Sequence, residues 1–203
     1  MHFTLRPTFV LLLAVTLLQM IQMIDAACQT VVTRKEFRDM TSTERTKWLN
    51  AVTKLFKSPT WNSLSKLHVT YAVYGHNTPA LLPWHRQLLM NFQQELNKID
   101  PDVVIPYWDS SLDSQAPASS VVWDYIGTSS GGGCVPNGPF SNFTLSYPNN
   151  ECLKRDFNPS GQGMSTLTTS EALGTLVRTE TDYATFESKI EYGMVSFDIL
   201  AQA

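Results

Sequence analysis

Apolar residues recur at helical spacing in three stretches of the first half of the chain. Trp48, Leu49, Val52, Leu55 and Phe56 follow Thr41 and Glu44, a pair with capping-box spacing, which predicts a helix over 41–57 stopped by Ser58-Pro59. Leu64, Leu67, His68, Tyr71 and Ala72 share one side of a second predicted helix, from Trp61 to a Gly75 expected just beyond its C-terminus. Asn77-Thr78-Pro79 reads as a turn. A third helix starts at Pro83, where a missing N–H costs nothing, and carries Trp84, Leu88, Phe92 and Leu96 at four-residue steps to Lys98 before Asp100-Pro101 ends it.

Beyond this point the periodicity weakens. Val103 to Tyr107 fits a short extended piece, and Asp109 to Tyr147, rich in Ser, Gly, Pro and aromatic residues, reads as irregular surface structure. Helical pattern returns faintly at Thr169–Arg178 and more clearly at Thr181–Glu191, where Tyr183, Phe186, Glu187 and Ile190 fall on one face. The fold class expected is mainly α with long irregular loops. At the N-terminus, Arg6 precedes an almost uncharged apolar run from Pro7 to Ile24, followed by the small residues Ala26 and Ala27. That order is the pattern of a secretory signal peptide over residues 1–26, leaving residues 27–203 as the secreted domain. A membrane anchor is the alternative, but the run is short for a span of ~20 residues and lacks a basic flank after it.

The 203 residues are 43% hydrophobic and 16% charged, the make-up of an ordinary folded domain. Fifteen Lys and Arg against eighteen Asp and Glu give a net charge of −3, without the basic stripe that nucleic-acid binding requires, so no nucleic-acid partner is expected. No membrane association is expected once the signal is removed. Secretion permits disulfides, and Cys134 and Cys152 bracket a Gly- and Pro-rich stretch, making them the expected pair and Cys28 the odd cysteine. Asn142-Phe143-Thr144 is a glycosylation sequon in the same stretch.

The chemistry concentrates in the histidines. Apart from His2, every histidine lies between His68 and His85: His68 within the second predicted helix, His76 after its end and His85 in the first turn of the third. An antiparallel helix pair would aim three imidazoles at one spot, a ligand set that suits copper, zinc, iron or nickel. The competing interpretation makes each histidine separately structural. A His-Glu-x-x-His pair, a Cys-x-x-Cys motif and a phosphate-binding Gly-rich loop with its Lys are absent. Asp109 and Asp113 read as a charged loop face, and Trp84, Tyr107 and Trp108 as core residues.

The run His76-Asn-Thr-Pro-Ala-Leu-Leu-Pro-Trp-His85-Arg86 with Leu88, Leu89 and Phe92, then Asp100-Pro101-Asp102 and Ile105-Pro106-Tyr107-Trp108-Asp109, resembles the copper-A half of tyrosinases, catechol oxidases and molluscan haemocyanins. Asn137-Gly138-Pro139-Phe140, Leu153-Lys154-Arg155 and Tyr183 to Glu191 extend the likeness from Arg34 to Tyr192. The resemblance implies a type-3 copper four-helix bundle in which two coppers, each held by three histidines, use dioxygen to oxidise phenols to quinones. It assigns His68, His76 and His85 as copper ligands, with copper as cofactor and a phenolic small molecule and dioxygen as partners. Leu81 and Gln93 stand where Phe and Glu are common in relatives, and Tyr74 where some carry a cysteine linked to the second ligand.

Relatives continue after a segment like Phe186 to Gly193 into further histidines for a second copper, whereas Met194 to Ala203 contains none. The expectation is therefore a partial domain, the copper-A half without its copper-B half, in which oxidase activity of this chain alone is doubtful. The faces around Tyr71, Leu88 and Phe92 are expected to lack partners. Alternatives are a non-catalytic copper-binding or interaction protein that keeps the scaffold, an oxygen carrier, and a homodimer pooling two histidine triplets.

Overall fold

Thr41 starts the first helix by accepting the Glu44 N–H at 3.2 Å, while the Glu44 carboxylate accepts the Thr41 N–H at 2.8 Å. In the computed structural model, which describes residues 31–129, 131–141, 143–155 and 167–194, this capping box opens α1 (Ser42–Phe56). Its inward stripe is Trp48, Ala51, Val52 and Leu55. Helix α2 (Pro59–Gly75) follows almost at once, because Ser58 is its extended N-cap and Pro59 occupies its first turn. Pro59 thus begins the second helix as well as terminating the first, two residues before the predicted start at Trp61. Helix α3 (Leu81–Ile99) likewise begins ahead of Pro83, and buries Leu81, Leu88, Phe92 and Leu96.

Helices α1, α2 and α3 pack on one another, and Trp61 fills the space between them, its ring 3.9 Å from that of Phe56 and 6.0 Å from that of Phe92. Leu96 is completely buried. Leu88 and Phe92, expected to lack partners, are buried; Tyr71 is exposed, as are Val69, Val73 and Tyr74 on the last turns of α2.

Gln93 has a scaffold role. Its amide donates to the Val103 carbonyl at 2.6 Å and accepts the Ile105 N–H at 2.8 Å, and Asn97 also donates to Val103. Side-chain amides on α3 therefore anchor Val103 to Ile105, within the piece expected to be extended, and Tyr107 at its end makes a parallel bridge with Glu36. Tyr107 is 47% exposed, against its assignment to the core.

The region read as irregular contains two 3-10 turns, a short helix α4 (Val122–Ile126) and the strand β1 (Thr144–Leu145), which pairs antiparallel with β2 (Glu151–Cys152) just beyond it. Cys134 and Cys152 form the expected disulfide; Cys28 and the sequon Asn142 lie outside the described residues. Asp113, expected on a solvated loop face, is a hub: it accepts from the Trp108 indole at 2.7 Å and the Ser120 hydroxyl at 2.8 Å, and pairs with Arg38. Asp109 caps the turn at Ser110–Asp113 through the Ser111 N–H. The Tyr-Trp-Asp element therefore ties the loops to the N-terminal segment through Glu36, which accepts the N–H of Asp109 and both the guanidinium and N–H of Arg38.

Helix α5 (Ser170–Thr179) is capped by Thr169 and buries no residue. Helix α6 (Tyr183–Met194) packs on α3. Among its described side chains the buried ones are two carboxylates, Glu187 and Glu191, rather than the apolar members of the predicted face. The fold is mainly α, as expected, and no helix among the described residues is long and apolar enough to cross a membrane.

Candidate metal centre

The chain reverses between α2 and α3 within five residues, and the reversal is built from local hydrogen bonds. His76 caps α2 in an extended conformation, and Asn77 adopts a left-handed one with φ 54°. Thr78 then donates to the Tyr74 carbonyl at 2.6 Å and accepts the Ala80 N–H at 3.2 Å. Gly75 permits the close approach that follows: a Cβ there would lie 2.9 Å from Trp84 Cε3, so only hydrogen allows the end of α2 to meet the start of α3. Gly75 is the last residue of the helix, and its role is this contact rather than the C-terminal turn expected of it.

This packing brings His68, His76 and His85 together. One ring nitrogen from each lies within 4.8 Å of the others, and all three side chains are partly buried. His76 Nε2 sits 3.2 Å from His68 Nε2. Metal-bound imidazoles at about 2.0–2.1 Å in a tetrahedral site hold their nitrogens roughly 3.3 Å apart. The first pair already has that spacing. Trp84 walls the group, its ring 4.8 Å from His85 and 5.6 Å from His68, a position beside the candidate site rather than in the core.

The protonation of two rings follows from their partners. Glu191 Oε1 lies 2.8 Å from His76 Nδ1, and the Leu81 carbonyl 2.8 Å from His85 Nδ1. A carbonyl only accepts, and so does an ionised carboxylate, so both Nδ1 atoms carry the proton and both Nε2 atoms present lone pairs to the cluster. Burial pushes the Glu191 carboxyl up, but the Asn77 N–H, His76 and Glu187 together outweigh it and hold it below the ordinary glutamate range. Glu191 is therefore the acceptor this tautomer needs, and its Oε2 also takes the Asn77 N–H at 2.8 Å. A histidine oriented through its second nitrogen in this way is the arrangement of metal-binding imidazoles.

Sequence reasoning placed the three histidines but missed Glu191. The signal available was a pair of acids four residues apart, Glu187 and Glu191, next to Phe186 and Ile190 in an otherwise amphipathic helix.

Comparison with known proteins agrees with this geometry. The family model for the common central domain of tyrosinase matches residues 58–197. The tyrosinase of Streptomyces glaucescens is 31% identical over 175 residues, covering 81% of this chain and 60% of the relative. The tyrosinase-like protein phomQ2 of Diaporthe leptostromiformis is 29% identical over 201 residues, covering 85% of this chain and 51% of the relative. The tyrosinase-like protein tyr-3 of Caenorhabditis elegans is 34% identical over 140 residues, or 66% of this chain and 20% of the relative. The chain thus spans between a fifth and three fifths of the length of these relatives. With three inward-facing imidazoles and a family match over most of its length, the chain belongs to the tyrosinase family of copper proteins.

Proposed function

We propose that His68, His76 and His85 hold one copper ion and that the protein is a secreted oxidoreductase acting on phenols or catechols with dioxygen. The observation carrying this reading is the histidine cluster itself, with ring nitrogens within 4.8 Å of one another and two rings oriented by Glu191 and the Leu81 carbonyl. Neutral imidazoles are good ligands for both oxidation states copper uses. Copper, when bound, supplies the redox couple through which electrons pass from the phenolic substrate to dioxygen. In the overall reaction two catechols lose two electrons and two protons each, giving two quinones, while one dioxygen becomes two waters.

The chain's own residues hold and shape the site. Glu191 keeps His76 in the tautomer that presents Nε2, Leu81 does the same for His85, and the Trp84 ring covers one side of the cluster. The Cys134–Cys152 disulfide is of the kind that persists in an oxidising compartment, which supports secretion. Removal of residues 1–26 as a signal peptide and a glycan on Asn142 belong to the same reading.

One observation favours a second reading. His68, His76 and His85 are all the histidines among the described residues, enough for one copper and not for two. On that reading the chain is a non-catalytic, mononuclear copper-binding or interaction protein. Copper per chain and catechol-dependent quinone absorbance, measured on the secreted protein and on His85→Ala, test both. Bound copper with quinone formation, both lost in His85→Ala, supports the oxidoreductase. About one copper per chain with a mononuclear copper(II) resonance signal and no quinone supports the second reading. No copper retained at all overturns the assignment of the three histidines.

A further inference from the structure

The end of α2 far from the histidines opens on a groove of about 630 Å³, bounded by the last turn of α1, the α1–α2 junction and the loop from Pro139 to Ser146. Its volume is that of a small-ligand site. Helix α2 begins at Pro59, which borders the groove, and His76 follows its last residue; 17 residues at about 1.5 Å each put the two places roughly 25 Å apart. A molecule held in the groove is therefore out of reach of the copper site, and the groove needs an occupant of its own.

The lining is of two kinds. Phe56, Phe140 and Phe143 supply the apolar part, with the Phe56 ring centred 5.1 Å from that of Phe140 and 5.0 Å from that of Phe143. Phe56 and Phe143 are only partly buried, so ring surface is left open to the groove. Among the polar residues, Thr53, Ser58 and Ser141 donate their hydroxyl protons to the carbonyls of Leu49, Leu55 and Gly138. The Asn62 amide and the Thr144 and Ser146 hydroxyls make no side-chain hydrogen bond among the described residues.

A ligand matched to both parts has an apolar face beside an edge of hydroxyl and amide groups. A pyranose ring has that make-up: the C–H bonds on its face are slightly positive, which suits the negative face of a phenyl ring, and its hydroxyls pair with amides and hydroxyls. The sequence supplies such a ring at this place. Asn142 is bonded to two lining residues, Ser141 and Phe143, and Asn142-Phe143-Thr144 is the glycosylation sequon. Consecutive Cα atoms lie about 3.8 Å apart, so a sugar linked to Asn142 starts at the margin of the groove. Tethering removes most of the translational entropy that a sugar arriving from solution loses, and a contact too weak to capture a free sugar is enough to seat a linked one.

We propose that this groove seats the first N-acetylglucosamine of a glycan on Asn142, its ring against Phe56 and Phe143 and its polar edge toward Asn62. The sugar then packs as part of the domain and braces the loop, which is tied to the disulfide through the pairing of Thr144 with Cys152, against the α1–α2 junction. This rests on the reading of the protein as secreted and glycosylated at Asn142, and not on the copper site.

The test uses the full chain secreted from a eukaryotic host. Mass spectrometry of the peptide carrying Asn142 reads its occupancy. Urea unfolding then compares protein whose glycan has been trimmed enzymatically to one sugar with Asn142→Gln, in the parent and in Phe143→Ala and Asn62→Ala, both of which keep the sequon. In the parent the single sugar is expected to raise the folded-to-unfolded ratio by about threefold to tenfold, the size of one contact with an aromatic face. That gain is expected to vanish in Phe143→Ala and to shrink in Asn62→Ala, because groups in contact do not contribute additively. No gain in the parent, or an equal gain in parent and variants, overturns the proposal and leaves glycosylation at Asn142 standing. An unoccupied Asn142 overturns both. Circular dichroism checks the fold, and Asn62→Ala, at a partly buried side chain, carries the comparison if Phe143→Ala does not fold.

Discussion

His76 and Glu191 are 115 residues apart in sequence, and their Nδ1 and Oε1 atoms are 2.8 Å apart. The contact joins α6 to the turn between α2 and α3, so the tautomer of a candidate copper ligand depends on a helix from the other end of the chain. Replacing Glu191 with Ala is expected to weaken copper binding about 10–100-fold, the usual loss when the partner of a metal-bound histidine is removed. Chelator competition measures it. Unchanged affinity would mean that Glu191 does not orient the ligand.

Asp113 makes the loop region sensitive to acid. Burial alone would raise its carboxyl, but the Trp108 indole, the Ser120 hydroxyl and the Arg38 guanidinium outweigh burial and bring it below its ordinary value of 3.8. Because the native value lies below the unfolded one, the stabilisation is present in full above the unfolded value and lost as pH falls through the native one. Denaturant midpoints are expected to fall with pH in that acid range, and less steeply in Asp113→Asn. At neutral pH Asp113→Ala is expected to cost about 1–3 kcal/mol, since it removes the acceptor that Trp108, Ser120 and Arg38 share while Arg38 keeps its pair with Glu36.

Gly75 is a steric requirement of the candidate site. An alanine methyl would stand 2.9 Å from Cε3 of Trp84, whose ring also borders His68 and His85. Gly75→Ala is expected to destabilise by about 1–3 kcal/mol through overpacking and to lower copper affinity by displacing Trp84. Thermal unfolding with and without copper separates the two effects: an alanine variant with an unchanged melting temperature would show that the ring moves aside freely.

The disulfide closes a loop of modest length. Cys134 and Cys152 are 18 residues apart, and cross-linking a loop of that size stabilises by about 3 kcal/mol through the unfolded chain. Replacing both cysteines with serine should lower stability by that order in urea titrations while leaving copper uptake intact. Loss of copper in the double variant would instead tie the loop to the histidine cluster.

Much of this architecture is legible along the chain because it is local. The capping box at Thr41 and Glu44, the apolar stripe of α3 and the turn at Asn77 are set by neighbours a few residues away, and each forms near its predicted place. The three histidines were readable for the same reason: all lie in or beside one helical hairpin, where helical spacing alone brings them to a common region. The disulfide was readable from the turn-rich stretch it brackets.

The roles of several polar residues depend instead on segments that meet only after folding. Asp109 and Asp113 look like a solvated loop face in the sequence, and Asp113 becomes an acceptor because Arg38 arrives from 75 residues away. Gln93 is noted in the sequence only as standing where relatives commonly carry Glu, and its role as an anchor appears once the segment from Val103 to Ile105 lies across it. Pattern along the chain therefore determined the helices, the disulfide and the three imidazoles, since these rest on short-range spacing. The tertiary structure alone decided which nitrogen of His76 faces the cluster, because the hydrogen bond that settles it comes from Glu191 on a helix distant in sequence.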